Sequence, residues 1–192
     1  MRVHGDKTIR RRVSLVQLDN YKDAKSLLLE DFHNMCGYCG KNSVIMKEKF
    51  HIDHFIPKSF APEKKEDYNN LVLACPKCNL TKSNKWPTGD KAVANNGEIG
   101  FVDPATDAYD YHMERDEHGY IKGITPLGRN ICKSLNFDVR RTDLYWKIQT
   151  LYKVQEELEA ISLQLDEDEL RYYMECNIFL KKYIEEAFEK GE

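Results

Sequence analysis

Four cysteines fall into two Cys-x-x-Cys pairs, Cys36 with Cys39 and Cys75 with Cys78, and no other feature of the 192 residues restricts the fold as tightly. Gly37-Tyr38 lies inside the first pair and Pro76-Lys77 inside the second, so each pair is a turn that aims two sulfurs at one point. Two such turns complete the four-sulfur tetrahedron that Zn²⁺ takes in structural sites, with no position left for substrate. The 35 residues between the pairs exceed the spacing of a simple zinc ribbon, so a further segment is inserted. Cys36, Cys39, Cys75 and Cys78 are therefore expected to hold a structural zinc in a reduced compartment. Cys132 and Cys176 have no such neighbour and read as small buried hydrophobes.

The insert carries the residues of interest. It contains His51-Ile52-Asp53-His54-Phe55-Ile56-Pro57-Lys58-Ser59, then Asn69-Asn70-Leu71-Val72-Leu73, and Cys78-Asn79-Leu80-Thr81-Lys82 follows. Hydrolysis of a phosphodiester needs an activated water, a cation for the charge on phosphate and leaving oxygen, and donors that position the backbone. His54 suits the first task, because an imidazole with a pKa near ~6.5 accepts a proton at neutral pH. Adjacent residues on an ideal strand point to opposite faces, so Asp53 and His54 can serve one site only where a strand ends.

Over about residues 33–85 these motifs closely resemble the HNH nuclease family, whose ββα-metal finger carries an Asp-His at a strand end, an Asn before an apolar run, and a His or Asn opening the helix. The resemblance implies that His54 is the general base, that Asp53 and Asn79 hold one catalytic divalent metal, and that Asn70 ties down a loop that orients the base. Asn69 is a rival for that last role. Asn79 stands where many members have His, an HNN form that also occurs in the HNH domains of RNA-guided CRISPR nucleases. A carboxylate and an amide oxygen suit Mg²⁺ or Mn²⁺. Lys82, three residues after Asn79 on the same helical face, is expected to contact the scissile phosphate. His51 and Lys58 are candidate substrate-binding residues, His51 with a metal-linked or structural role equally open, and Lys64 and Lys65 lie in the same loop. His33 precedes the first knuckle as a candidate zinc cover, whereas His4, His112 and His118 read as solvated.

A narrower resemblance is to the standalone HNH proteins of bacterial anti-phage defence, in Septu-like and related retron systems. It rests on His-Ile-Asp-His-Phe-x-Pro-Lys-Ser, the Cys-Asn-x-x-Lys element and a helical tail. It implies DNA as substrate and an ABC-type ATPase as partner, docked on the C-terminal helices. The competing reading is a catalytically silent zinc-binding module for nucleic acid or protein within a larger complex. DNA versus RNA and homo-oligomerisation stay open at this point.

The fold class expected is α+β, a zinc-stabilised ββα-metal core followed by a mainly helical C-terminal region. Residues 1–19 form a basic arm and 20–88 the nuclease domain. A loop and β-hairpin connector spans 89–124, and 125–192 is helical. Ala24, Leu27, Leu28 and Phe32 mark a helix over 20–35 with Asn20 or Asp19 as cap. Residues 43–56 read as two strands, 79–86 as a short helix, and the Gly, Pro and Asn-rich 86–108 as the main boundary. A hairpin turns at Asp116 to Gly119, and Thr125-Pro126 opens a helix. The last third reads as a helical hairpin joined by Asp166 to Glu169. One stripe is Leu144, Leu151, Val154, Leu158, Ile161 and Leu165, with Lys147 out of pattern; the other is Leu170, Tyr173, Met174, Leu180, Ile184 and Phe188.

The net charge of −3 conceals a division. Residues 155–192 carry twelve acidic and four basic side chains, a net −8, so residues 1–154 carry +5. Near-neutrality thus does not exclude a nucleic-acid partner for the first part, and the acidic tail fits protein contact better than DNA. No apolar run approaches the length of a membrane span, and the first twenty residues lack the apolar segment of a secretory signal, so a cytoplasmic protein is expected.

Overall fold

The computed structural model of the chain describes residues 1–14, 17–160 and 165–189. Its two compact units are Met1–Val139 and Arg140–Glu192. Among the described residues, no helix is long and apolar enough to cross a membrane.

In the first unit the Asn20 side chain accepts from the Lys22 amide, capping a 3₁₀ turn that runs into helix α1, Lys25–Asp31. Leu28 and Phe32 are buried, and the helix ends where His33 and Asn34 adopt left-handed backbone, φ 51° and 58°. Of the two strands expected over 43–56, only one forms. The Asn42 side chain accepts from the amides of Val44 and Ile45, and this local turn overrides the β propensity of both. Strand β1, His51–His54, pairs antiparallel with β2, Leu71–Ala74, His51 opposite Ala74 and His54 opposite Leu71. Helix α2, Pro76–Lys82, begins inside the second knuckle with Cys75 as cap and Pro76 in its first turn. It therefore starts three residues before the expected 79, and Ser83, φ 47°, ends it. The order strand, strand, helix matches the expectation, but the second strand lies in the apolar run after Asn70 rather than within 43–56.

The division of the chain falls at 139/140 rather than in the Gly, Pro and Asn-rich 86–108 or at 124/125. That stretch is not a linker, because Trp86, Phe101, Val102 and Ala105 insert into the core. Trp86 packs edge-on to Phe55 at 5.4 Å and stacks on Phe101 at 6.5 Å. Its Asn residues make turns, Asn95 and Asn96 accepting from the amides of Gly97, Glu98 and Ile99. A short helix α3, Ala108–His112, precedes the expected hairpin of β3, Met113–Arg115, and β4, Ile121–Gly123. Helix α4, Pro126–Ser134, is capped by Thr125, whose hydroxyl accepts from the Gly128 amide. A side chain at Gly123 or Gly128 would collide with the other's backbone or that of His112, so both positions must be small.

The basic arm also differs from expectation. Arg11 makes two bonds to the Asp103 carboxylate and donates to the Leu71 carbonyl, and Arg12 grips Asp31 and Glu30. Arg2 pairs with Asp110 and Arg10 with Asp107. These arginines therefore fasten the arm to α1, to β2 and to the segment 103–110, and their charge is compensated by acidic partners.

In the second unit, α5, Thr142–Ala160, and α6, Glu167–Glu189, run antiparallel. Arg141 reaches Glu186, Gln155 reaches Asn177, and the Tyr173 hydroxyl reaches Glu159. Leu144 and Ile148 are buried on α5, and Lys147, out of the apolar pattern, pairs with buried Asp143. The α6 stripe is corrected. Cys176, Leu180 and Ala187 are buried with Tyr173 and Tyr183 partly so, a three-four spacing, whereas Leu170, Met174, Ile184 and Phe188 are exposed. The inward face mixes large and small residues and is set by the three-four spacing, the row along which one helix packs on another. Asp166 to Glu169 is not a linker either, since Asp166 accepts from the amides of Asp168 and Glu169 at the start of α6. Ile161 lies outside the described residues.

Candidate functional site

The two knuckles meet. Cys36, Cys39, Cys75 and Cys78 are all buried, and their sulfurs lie within 4.8 Å of one another. The Cys39 and Cys75 sulfurs are 3.8 Å apart, too far for a disulfide and close to the ~3.8 Å edge of a tetrahedron with 2.3 Å zinc–sulfur bonds. The Cys78 amide points at the Cys75 sulfur, 3.4 Å away. Burial, and then the neighbouring sulfurs, push the Cys36 thiol well above its usual range. Without a cation this cluster resists ionisation; with one it supplies four soft ligands, so the donor set fits zinc.

The strand end and helix α2 frame an open cleft of about 260 Å³ lined by Asp53, His54, Pro57, Lys58, Asn79 and Leu80, with Ser83 and Asn84 at the helix end. Thus Asp53, His54, Asn79 and Lys58, all singled out in the sequence, share one cavity. His54 is buried, its ring edge-on to Tyr21 at 4.8 Å, and its Nε2 lies 2.9 Å from the Lys65 carbonyl. A carbonyl only accepts, so Nε2 carries the proton and the neutral ring keeps its lone pair on Nδ1. Burial holds the His54 pKa below the ordinary 6.5, and the charge of Lys58 acts in the same direction.

Asn70 is buried and is not among the residues that line the cleft. Its Oδ1 accepts from the Ile56 amide at 2.8 Å, and its Nδ2 donates to the carbonyls of Ile56 and Lys64. It pins both ends of the loop whose Lys65 carbonyl holds His54, which makes it a positioning residue. The Asn69 backbone amide donates to Asp67 Oδ1 at 2.9 Å, and its side chain makes no such bonds among the described residues.

Lys82 is a correction. Its side chain is completely buried, with Nζ 3.0 Å from Asp53 Oδ2 and 2.9 Å from the His54 carbonyl, so the expected phosphate contact is not made from this position. Helix α2 lies so close to β1 that its last residue points into the core. Tyr38, the aromatic residue inside the first knuckle, donates to the same Asp53 Oδ2 at 2.6 Å. Burial raises the Asp53 pKa, and Lys82 and Tyr38 offset part of that rise.

His51 is exposed at the rim, where the Asn79 Nδ2 donates to its Nδ1 at 3.2 Å. Lys58 lines the cleft, its Nζ 5.2 Å from the Tyr21 ring centre, and the Lys65 ammonium pairs with Glu66. The other histidines are partly corrected. His4 is buried, its Nε2 donating to the Gly37 carbonyl, and burial lowers its pKa to about 4. His33 reaches the Thr8 carbonyl rather than the cysteines, and His112 bonds the Thr125 hydroxyl. Sequence reasoning missed Tyr38 and Tyr21; an aromatic residue inside a knuckle that must lie against the finger was the available signal for Tyr38.

Residues 36–85 match the family model described as HNH endonuclease. The matched segment contains all four cysteines, β1, β2 and α2, and it supports a nuclease-type function in general. No curated protein and no solved structure matches the chain.

Proposed function

We propose that the chain is a metal-dependent endonuclease that hydrolyses DNA phosphodiester bonds. His54 acts as general base, and Asp53 and Asn79 hold a single Mg²⁺ or Mn²⁺. The observation that carries this reading is the His54 ring, its Nε2 proton committed to the Lys65 carbonyl and its Nδ1 left basic in the cleft shared with Asp53 and Asn79. Both residues offer a hard oxygen, Asp53 through the Oδ1 that takes no hydrogen bond among the described residues and Asn79 through its amide carbonyl. When bound, the divalent ion would neutralise charge on the phosphate and leaving oxygen. His54 takes a proton from water through Nδ1, and the loop tied by Asn70 keeps the ring oriented while that happens. Lys58, exposed at the cleft, meets a phosphate, and His51 orients the Asn79 amide. The four cysteines hold zinc as a structural ion.

A second reading has one observation in its favour: Asp53 is engaged by the Lys82 ammonium, which suits a zinc module without catalysis. Incubating zinc-loaded protein with duplex DNA, single-stranded DNA and RNA, with Mg²⁺, Mn²⁺ or EDTA, separates the two. Metal-dependent cleavage of DNA supports the nuclease. No cleavage of any substrate with either metal would leave the silent module.

The narrower resemblance leads us to place this activity in cytoplasmic anti-phage defence, with an ABC-type ATPase on the C-terminal helices. The acidic character of that region and the exposed Leu170, Met174 and Ile178 of α6 are consistent with protein contact. Co-purification with such an ATPase, lost on Met174→Glu, tests it; a chain that is fully active alone and binds no ATPase contradicts it.

A further inference from the structure

We infer that Lys82 is a resident counter-cation that makes retention of the divalent metal depend on the phosphate of the nucleic acid. The inference rests on the metal-site reading proposed above. Three observations carry it. First, the ammonium is wholly buried and fixed by two oxygens, Asp53 Oδ2 at 3.0 Å and the His54 carbonyl at 2.9 Å. It comes from the last residue of α2, and its Nζ lies 5.8 Å from the Phe101 ring centre on the apolar side. An incoming ion therefore cannot push it into solvent without disturbing the helix end.

Second, the donors converge on one oxygen. Lys82 and Tyr38 both take Asp53 Oδ2, and Oδ1 has no hydrogen bond among the described residues. The carboxylate thus keeps a single oxygen free for a metal, and its charge is already shared with an ammonium.

Third, nothing else in the cleft compensates. Asp53 is the only carboxylate in the lining, Asn79 is neutral, and Lys58 adds a positive charge. Glu66, the other carboxylate whose field reaches His54, is paired with Lys65 at 3.0 Å. The carboxylate and its two neighbouring lysines sum to +1, whereas oxygen sites that retain a divalent ion unaided use several carboxylates. A phosphodiester entering the cleft brings the missing negative charge and further oxygen ligands. Metal and nucleic acid then bind with positive coupling, and by linkage each strengthens the other by the same factor.

The test is a Mn²⁺ titration followed by electron paramagnetic resonance on the full chain, in a His54→Ala background so that an added short DNA duplex stays intact. In this parent the duplex is expected to tighten Mn²⁺ binding at least about tenfold. Lys82→Met, which keeps the volume and removes the charge, is expected to bind Mn²⁺ about tenfold more tightly without the duplex and to gain only about twofold from it. Tyr38→Phe removes a donor but no charge, so its coupling should stay within about twofold of the parent. Equal Mn²⁺ affinity with and without duplex in the parent overturns the inference, whatever the variants do, and leaves the metal site standing. Unchanged coupling in a folded, zinc-loaded Lys82→Met overturns it too, as does a Tyr38→Phe that behaves like Lys82→Met. Absence of Mn²⁺ binding under both conditions would overturn the metal-site reading and this inference with it.

Discussion

Among the described residues of 1–139 no helix is longer than the nine residues of α4, and the interior holds charged side chains such as Lys82, Asp53 and Arg115. The hairpin over residues 140–189 has helices of 19 and 23 residues, with large apolar side chains left on the surface of the second. Short elements bury too little apolar surface to define a unique packing, so the first unit is cross-linked by four cysteines, by Arg115 donating to three backbone carbonyls, and by Asn70 on its loop. A cross-linked unit holds the groups that line its cleft at fixed distances but fails when one link is cut. A long helical hairpin distributes its packing along two faces, and single changes cost it less.

This contrast can be broken at its strongest point first. Cys75→Ser removes a zinc ligand and the cap of α2 together. Structural zinc contributes on the order of 10 kcal/mol to small domains. The variant should lose zinc and the cooperative melting of the first unit, while most of the circular dichroism signal from α5 and α6 survives. Normal melting with full zinc content would contradict the structural role. Asn70→Ala strands the Ile56 amide and the Ile56 and Lys64 carbonyls, and should cost about 3 kcal/mol in urea unfolding and lower cleavage with it. Loss of activity at unchanged stability would instead give Asn70 a direct chemical role.

Asn79→Ala touches the cleft but little of the core. Stability should stay within about 0.5 kcal/mol, and cleavage should fall about tenfold and recover in part as Mg²⁺ or Mn²⁺ is raised. An unchanged metal dependence removes Asn79 from the ligand set. The smallest effect belongs to the hairpin. Burial alone would raise the Asp143 pKa, but its bonds to Arg141 and Lys147 reverse this and leave it below the usual 3.8. Its contribution is therefore fully present above pH ~4 and is lost as pH falls through the lowered folded pKa. Asp143→Asn should lose about 1–2 kcal/mol at pH 7, and the gap to wild type should close as the pH falls below the lowered folded pKa. A gap independent of pH would mean that packing, not charge, is what Asp143 supplies.

The knuckles and the cleft were legible because zinc and phosphodiester chemistry restrict residue types at short spacing. Cys36, Cys39, Cys75 and Cys78 converge, and Asp53, His54 and Asn79 line one cavity. What the sequence hid depended on long-range partners. The spacing of Lys82 from Asn79 suggests a phosphate contact, and only the closeness of α2 to β1 turns it onto Asp53. The arm read simply as basic because its partners Asp103, Asp107 and Asp110 lie 92, 97 and 108 residues away. Residues 86–108 read as a boundary because turn chemistry was weighed above Trp86 and Phe101, which bury. In α6 the size of Met174 and Phe188 outweighed the three-four spacing of Cys176, Leu180 and Ala187.

The central claim is that His54 is the base of a metal-dependent nuclease, and nicking of supercoiled plasmid by wild type and His54→Ala, matched for zinc content and melting temperature, tests it most directly. The account predicts that Mg²⁺ or Mn²⁺ supports nicking by the wild type and that the substitution lowers the rate at least about a hundredfold. Nicking by His54→Ala at the wild-type rate would contradict it.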